Sequence, residues 1–151
     1  MLRKLFTRNR SPRDLDQLIF DIAEYQRNED YEEFYARIMS HRFYLSLLSP
    51  VDSSVPRGER IVVRADSGMR TRCAEIQGLK LVLFFTTATD ARLGEHYAEI
   101  EGSEALRMAL RSDHTDGALF QNNRSSWVGL DKQKISHVLS RWQTNETSSL
   151  T

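Results

Sequence analysis

The residue types best suited to acid–base chemistry are Asp113, His114 and Asp116, which fall within one run, Asp-His-Thr-Asp. A carboxylate beside an imidazole tunes it toward neutral pKa, the condition for general acid–base catalysis. The same residues are ordinary at a helix end leading into a turn, and Gly117 follows directly. Cys73 stands near Arg70, Arg72 and Glu75, and guanidinium neighbours lower a thiol pKa. No histidine accompanies it, so the pattern favours a half-buried structural cysteine over a nucleophile. His41, His96, His114 and His137 share no spacing that sets two on one helical face, and none forms a zinc-ligand pattern with Cys73. No metal site is expected. Ser46, Ser103, Ser125 and Ser126 lack the context of a nucleophile elbow. No glycine-rich loop follows any apolar run to cradle a phosphate, so no cofactor is expected.

Arginine is the better-placed chemistry. Arg57, Arg60, Arg64, Arg70 and Arg72 meet only two acids, Glu59 and Asp66, giving residues 57–72 a charge of +3. A hairpin there would gather Arg60, Arg64, Arg70 and Arg72 in one region, and arginine is suited to anchor and steer a protein partner. Against it stand six acids, Asp21, Glu24, Glu29, Asp30, Glu32 and Glu33, with Arg27 alone, or −5 over residues 21–33. The plainer reading is that both faces are solvated or pair with each other. Over the whole chain 21 basic residues equal 21 acidic ones, which argues against a nucleic-acid or anionic-membrane partner.

Positioning these side chains falls to a short list of elements. A length of 151 residues fits one core of the usual size, about 100–200 residues. Ser11 with Pro12 at the first helical position opens an amphipathic helix with Leu15, Leu18, Ile19 and Ile22 on one face. Asp30 and Glu33 resemble a capping box before a second helix carrying Phe34, Tyr35, Ile38 and Met39. Phe43–Leu48 reads as a strand stopped by Pro50, and Val51–Glu59 as a loop. Arg60–Ala65 and Arg70–Ile76 read as hairpin arms about Asp66-Ser67-Gly68. The apolar run Leu79–Phe85 predicts the central strand. A loop or short helix follows, then a strand at Tyr97–Ile100, a helix capped by Ser103, and a strand at Gly117–Gln121. Asn122-Asn123 makes a loose turn before Ser126–Val128. Asp131 caps a closing helix striped by Ile135, Val138, Leu139 and Trp142. The fold class is α/β (or α+β): a mixed sheet including a β-hairpin, with its central strand at about 79–85, covered by about four helices. A basic arm spans residues 1–10, the domain 11–143, and a polar, frayed tail 144–151.

Leu83-Phe84-Phe85-Thr86-Thr87, Gly102-Ser103 before a helix ending near Leu110, Gly117-Ala118-Leu119-Phe120-Gln121-Asn122 and Ile135–Leu139 carry one family likeness. In that order, across residues 14–142, the chain resembles the N-terminal domain of the SseB family of bacterial proteins. The family turns on Asn-Pro where this chain has Asn122-Asn123, and its longer members continue into a second domain. The resemblance implies a small bacterial α/β domain, named for enhanced serine sensitivity and loosely associated with secretion, without established enzymatic chemistry.

The expectation is a non-catalytic, cytoplasmic domain that binds another protein through the arginine hairpin or an exposed sheet edge, as an immunity or chaperone-like partner of a toxin or secreted protein. One lone cysteine and no apolar run of about 18 residues agree with a reducing compartment and no membrane span. An enzyme using Asp113, His114 and Asp116 is the alternative, and nucleic-acid binding through the basic hairpin is the second.

Overall fold

The computed structural model describes residues 13–47 and 71–150, with side chains as far as Trp142. The expected loop at 51–59, the first hairpin arm at 60–65 and the turn at 66–68 therefore lie outside the described residues, as do Arg57, Arg60, Arg64 and Arg70.

Helix α1, Leu15–Tyr25, begins later than Ser11 and Pro12 suggest, because Asp14 is the cap: its carboxylate accepts the Gln17 amide at 2.7 Å. The helix ends where Gln26 turns left-handed (φ 51°) and its N–H reaches the Ile22 carbonyl. Helix α2, Asn28–Ile38, starts two residues before Asp30, which is buried instead of capping. Strand β1, Arg42–Ser46, is followed among the described residues by β2, Cys73–Ile76. Gln77 and Gly78, both left-handed at φ 53° and 82°, turn β2 into β3, Leu79–Phe85. Two such residues in a two-residue loop match the twist of paired strands. A 3₁₀ turn, Ala91–Leu93, leads to β4, Tyr97–Glu101, then helix α3, Gly102–Arg111. Strands β5, Gly117–Gln121, and β6, Trp127–Asp131, form a second hairpin, and β6 is longer than the sequence suggests. Helix α4, Lys132–Leu150, opens on the Asp131 cap, whose carboxylate accepts the Lys134 amide at 2.8 Å. Its backbone remains helical through the segment read from sequence as a frayed tail.

The sheet runs β4-β1-β3-β5-β6, with β2 also on β3. Among the described strands only β3 and β5 are parallel, so the sheet is mixed and the fold is α/β. β2 pairs with Leu79–Val82, and β1 takes over the same edge of β3 at Phe85.

The four described helices pack on one face. There Phe43, Phe84, Phe120, Ile100 and Leu130 meet Leu18, Ile19, Phe34, Leu106 and Ile135 in one cluster. Phe120 is its hub, stacked on Phe84 at 5.3 Å and edge-on to Phe34 at 5.8 Å. Each fully buried phenylalanine contributes about 1.5–3 kcal/mol. The other face carries Leu81, Leu83, Phe85 and Leu119 with Leu93 of the 3₁₀ turn. Helix α3 seats tightly on α2: Gly102 N–H donates to the His41 carbonyl at 2.8 Å and Ser103 N–H to that of Met39 at 3.1 Å. A Cβ on Gly102 would lie 1.5 Å from the Ile38 carbonyl oxygen, so only glycine fits. Ser103 is thus the second helical residue and not the cap, and its hydroxyl donates to Glu101.

Candidate functional site

Asp113, His114 and Asp116 lie where α3 hands over to β5, and the structure uses them as a junction. Asp113 and His114 are exposed in a turn, where the His114 amide reaches the Ser112 hydroxyl. The Asp116 carboxylate accepts the Lys80 amide at 2.8 Å, while its own amide donates to the Lys80 carbonyl at 2.7 Å. Its carbonyl accepts the Lys132 amide. One residue thereby ties the starts of β3, β5 and α4. Among the described residues no side-chain hydrogen bond joins any two of the three. They also sit at the N-terminal end of the parallel pair, whereas open α/β sheets hold ligands at the C-terminal ends of strands.

Arg72 is the one member of the basic set within the described residues. It is exposed, and its guanidinium donates to the Arg92 carbonyl at 2.9 Å. Its backbone bridges Ser46 and Leu83, holding the crossing point where β2 leaves β3 and β1 takes over. Cys73, next along, is half-buried. Burial pushes its thiol above the ordinary value, with Lys80 opposing, opposite in direction to the lowering that guanidinium neighbours would give.

The polar centre that sequence reasoning missed lies at the C-terminal ends of β3 and β5. Asn122, 0% exposed, donates its amide to the Asp16 carbonyl at 2.8 Å. Its oxygen accepts the Arg124 and Ser126 amides at 2.9 Å each. The turn at Asn122-Asn123 is therefore pinned, not loose. The Asp16 carboxylate accepts the Thr86 hydroxyl at 2.6 Å and the Asn123 amide at 3.2 Å. Beside them Arg92 grips Asp90 through two nitrogens, at 2.8 and 2.6 Å, and reaches the Asn122 carbonyl at 2.7 Å and the Ser125 hydroxyl at 2.9 Å. Its guanidinium also lies 5.0 Å from the centre of the Phe85 ring. The hydrogen bond to Arg92 is the main reason the Asp90 carboxyl is held below its ordinary value. His41 is nearby in the same layer, 4.8 Å from the Phe43 ring. Burial lowers its pKa, against a backbone hydrogen bond at Thr86 that favours the charged form. No local signal announced this centre, because α1, the 3₁₀ turn and the β5–β6 turn each supply part of it.

Four acids of the stretch at 21–33, Asp21, Asp30, Glu32 and Glu33, are bound by arginines, some of them remote in sequence. Arg13 binds Asp21 at 2.8 Å, Asp30 at 2.9 Å and Glu33 at 3.1 Å, while Arg27 also binds Asp30. Arg37 takes Glu33, and Arg141 takes Glu32. Burial opposes the charge on Arg13, but its bonds to the three carboxylates more than offset that and raise its pKa. Burial likewise works against the Asp30 carboxylate, yet Arg13 and Arg27 bring it below its ordinary value. Part of the acidic face is thus an ion-paired clasp about Arg13 and Arg27.

Among the described residues no group of three or more His, Cys, Asp or Glu is placed to hold a metal ion. No described helix is long and apolar enough to cross a membrane. No protein-family model, curated protein or solved structure matches the chain.

Proposed function

We propose that this chain is a non-catalytic, cytoplasmic protein-interaction domain, an immunity or chaperone-like partner of a toxin or secreted protein. The observation that supports it is the closure of the C-terminal ends of β3 and β5. The Asp16, Thr86 and Asn122 side chains there are engaged with the chain's own backbone and with one another. The groups that a ligand would meet at this end of an α/β sheet instead lock loops together. Asp116, the best-placed acid of the alternative site, is likewise bound to Lys80. What the surface offers is arginine, with Arg72 exposed beside the crossing of β1 and β2. The test is affinity capture with the full chain and identification of the bound protein by mass spectrometry. A specific partner lost on charge reversal at Arg64 and Arg72 together supports the reading. No enriched partner, or one indifferent to that double reversal, overturns it.

A further inference from the structure

His96, His114 and His137 are exposed, and His41, at the corner where α2 gives way to β1, is half-buried. The corner seats α3: the His41 carbonyl accepts the Gly102 amide at 2.8 Å, and the Met39 carbonyl accepts that of Ser103 at 3.1 Å. The His41 ring leans at 56° on Phe43, with centres 4.8 Å apart, and Phe43 in turn lies 4.7 Å from Phe120, the hub of the core. Ring and carbonyl belong to one residue, so whatever drives the ring from this place acts on the corner that holds α3.

The imidazole is satisfied on one side only. Its Nε2 atom is enclosed and meets no hydrogen-bond partner among the described residues. The Thr86 backbone engages the ring and favours its charged form. A neutral imidazole has one N–H to give and one bare lone pair, so a neutral ring suits this place, with Nε2 as the lone pair. Protonation adds a hydrogen at Nε2 that nothing accepts, and a charge removed from water. Two charged side chains of the described residues act on the ring. Arg37 on α2 opposes a second positive charge, while Asp16 on α1 favours it. The Asp16 carboxylate is already committed to the Thr86 hydroxyl at 2.6 Å and the Asn123 amide at 3.2 Å. Arg37 is held by Glu33 and by the Arg13 carbonyl. The other neighbours, Phe43 on β1, Thr86 at the end of β3, and Gly102 and Ser103 on α3, carry no charge that could answer an imidazolium.

We propose that His41 is an acid-sensitive latch: as a neutral ring it locks the corner between α2 and β1, and on gaining a proton it is driven out and loosens the first turn of α3. The latch goes beyond the interaction reading above and does not depend on it. Burial holds the folded His41 below its ordinary value of 6.5, so the unfolded chain takes up the proton first. The latch is therefore intact above 6.5 and is lost as pH falls through that value toward the folded one.

Hydrogen exchange and urea unfolding of the full chain at about pH 7.5 and about pH 5.5, each about one unit from the ordinary histidine value, test the latch. At the lower pH the protection factors of the Gly102 and Ser103 amides should fall several-fold and the urea midpoint should drop. The His41 ring resonance should titrate in step with that loss. His41→Gln, whose side chain takes up no proton, should lose nothing between the two pH values, and His41→Phe, which keeps a ring against Phe43, should behave likewise. Equal wild-type protection of Gly102 and Ser103 at both pH values overturns the proposal. So does a loss that persists in either variant. Where neither variant folds, the ring resonance decides: titration out of step with the loss of protection overturns the latch as well.

Discussion

Replacing Gly102 by alanine probes the tightest junction in the fold. The added Cβ would fall 1.5 Å from the Ile38 carbonyl oxygen, 2.6 Å from its carbon and 3.2 Å from the Phe43 ring. Two of these atoms are backbone, so no side-chain rotation relieves the clash and α3 must move away from α2. That movement breaks the Gly102–His41 and Ser103–Met39 hydrogen bonds. Each is worth about 1 kcal/mol net, and more if the groups stay buried without partners. Overpacking adds about 1–3 kcal/mol. The combined loss, about 3–5 kcal/mol, is a large part of the about 5–15 kcal/mol that holds a domain folded. With a urea slope of about 2 kcal/mol/M, the midpoint should fall by about 2 M. Gly78→Ala is the matched control: nothing lies within 4 Å of its Cβ, but φ is +82°. Backbone strain alone should cost it about 1 kcal/mol. A midpoint for Gly102→Ala no lower than that for Gly78→Ala would refute the reasoning from close approach.

Asn122→Ala should cost about 2–4 kcal/mol in thermal or urea unfolding, since it strands the Asp16 carbonyl and two amides; a loss under about 0.5 kcal/mol would show that the turn holds without it. Arg13→Met should destabilise by about 2–4 kcal/mol, below the about 3–5 of a fully buried pair because the guanidinium is partly exposed. The Asp30 carboxyl is depressed in the folded state, so its stabilising contribution is complete above its unfolded value of 3.8 and is lost as pH falls toward the folded value. Unfolding curves from about pH 5 to about pH 2, each within about two units of that value, should therefore show a shallower acid slope in Arg13→Met, and an unchanged slope would count against the clasp. Cys73 in the folded chain should alkylate with iodoacetamide more slowly at pH 8 than the same residue in urea, since burial raises its pKa. Equal rates would contradict that assignment.

The sheet was largely legible because its signals are local. Leu79–Phe85 carries its strand identity in its own side chains, although Leu79 is 40% exposed where the strand leaves the hairpin turn. Asp131 announced α4 within four residues. What escaped was whatever depends on distant pairs. Asp30 resembles a cap in its neighbourhood, yet it is 2% exposed and its role is set by Arg13, 17 residues earlier. Asp116 looks catalytic beside His114 until Lys80, 36 positions away, claims its carboxylate. Strand order was out of reach for the same reason: nothing in β5 itself says that it lies parallel to β3 while β4 crosses to the far edge. The acidic run at 21–33 shows how a charge count misleads when its counterions come from Arg13, Arg37 and Arg141.

The bond between Asp16 and Asn122 spans 106 positions, and that separation has a bearing on synthesis. A ribosome adding about 5–20 residues per second completes Asn122 about 5–20 s after Asp16. Through that interval α1 has its apolar stripe formed and its sheet incomplete, with β6, against which it packs, still to be made. The first helix among the described residues is thus made early and secured only once β5 and β6 have followed. A nascent chain stalled anywhere before Asn122 presents Leu18, Ile19 and Ile22 uncovered by β6, which makes this helix the natural place for a folding helper to hold.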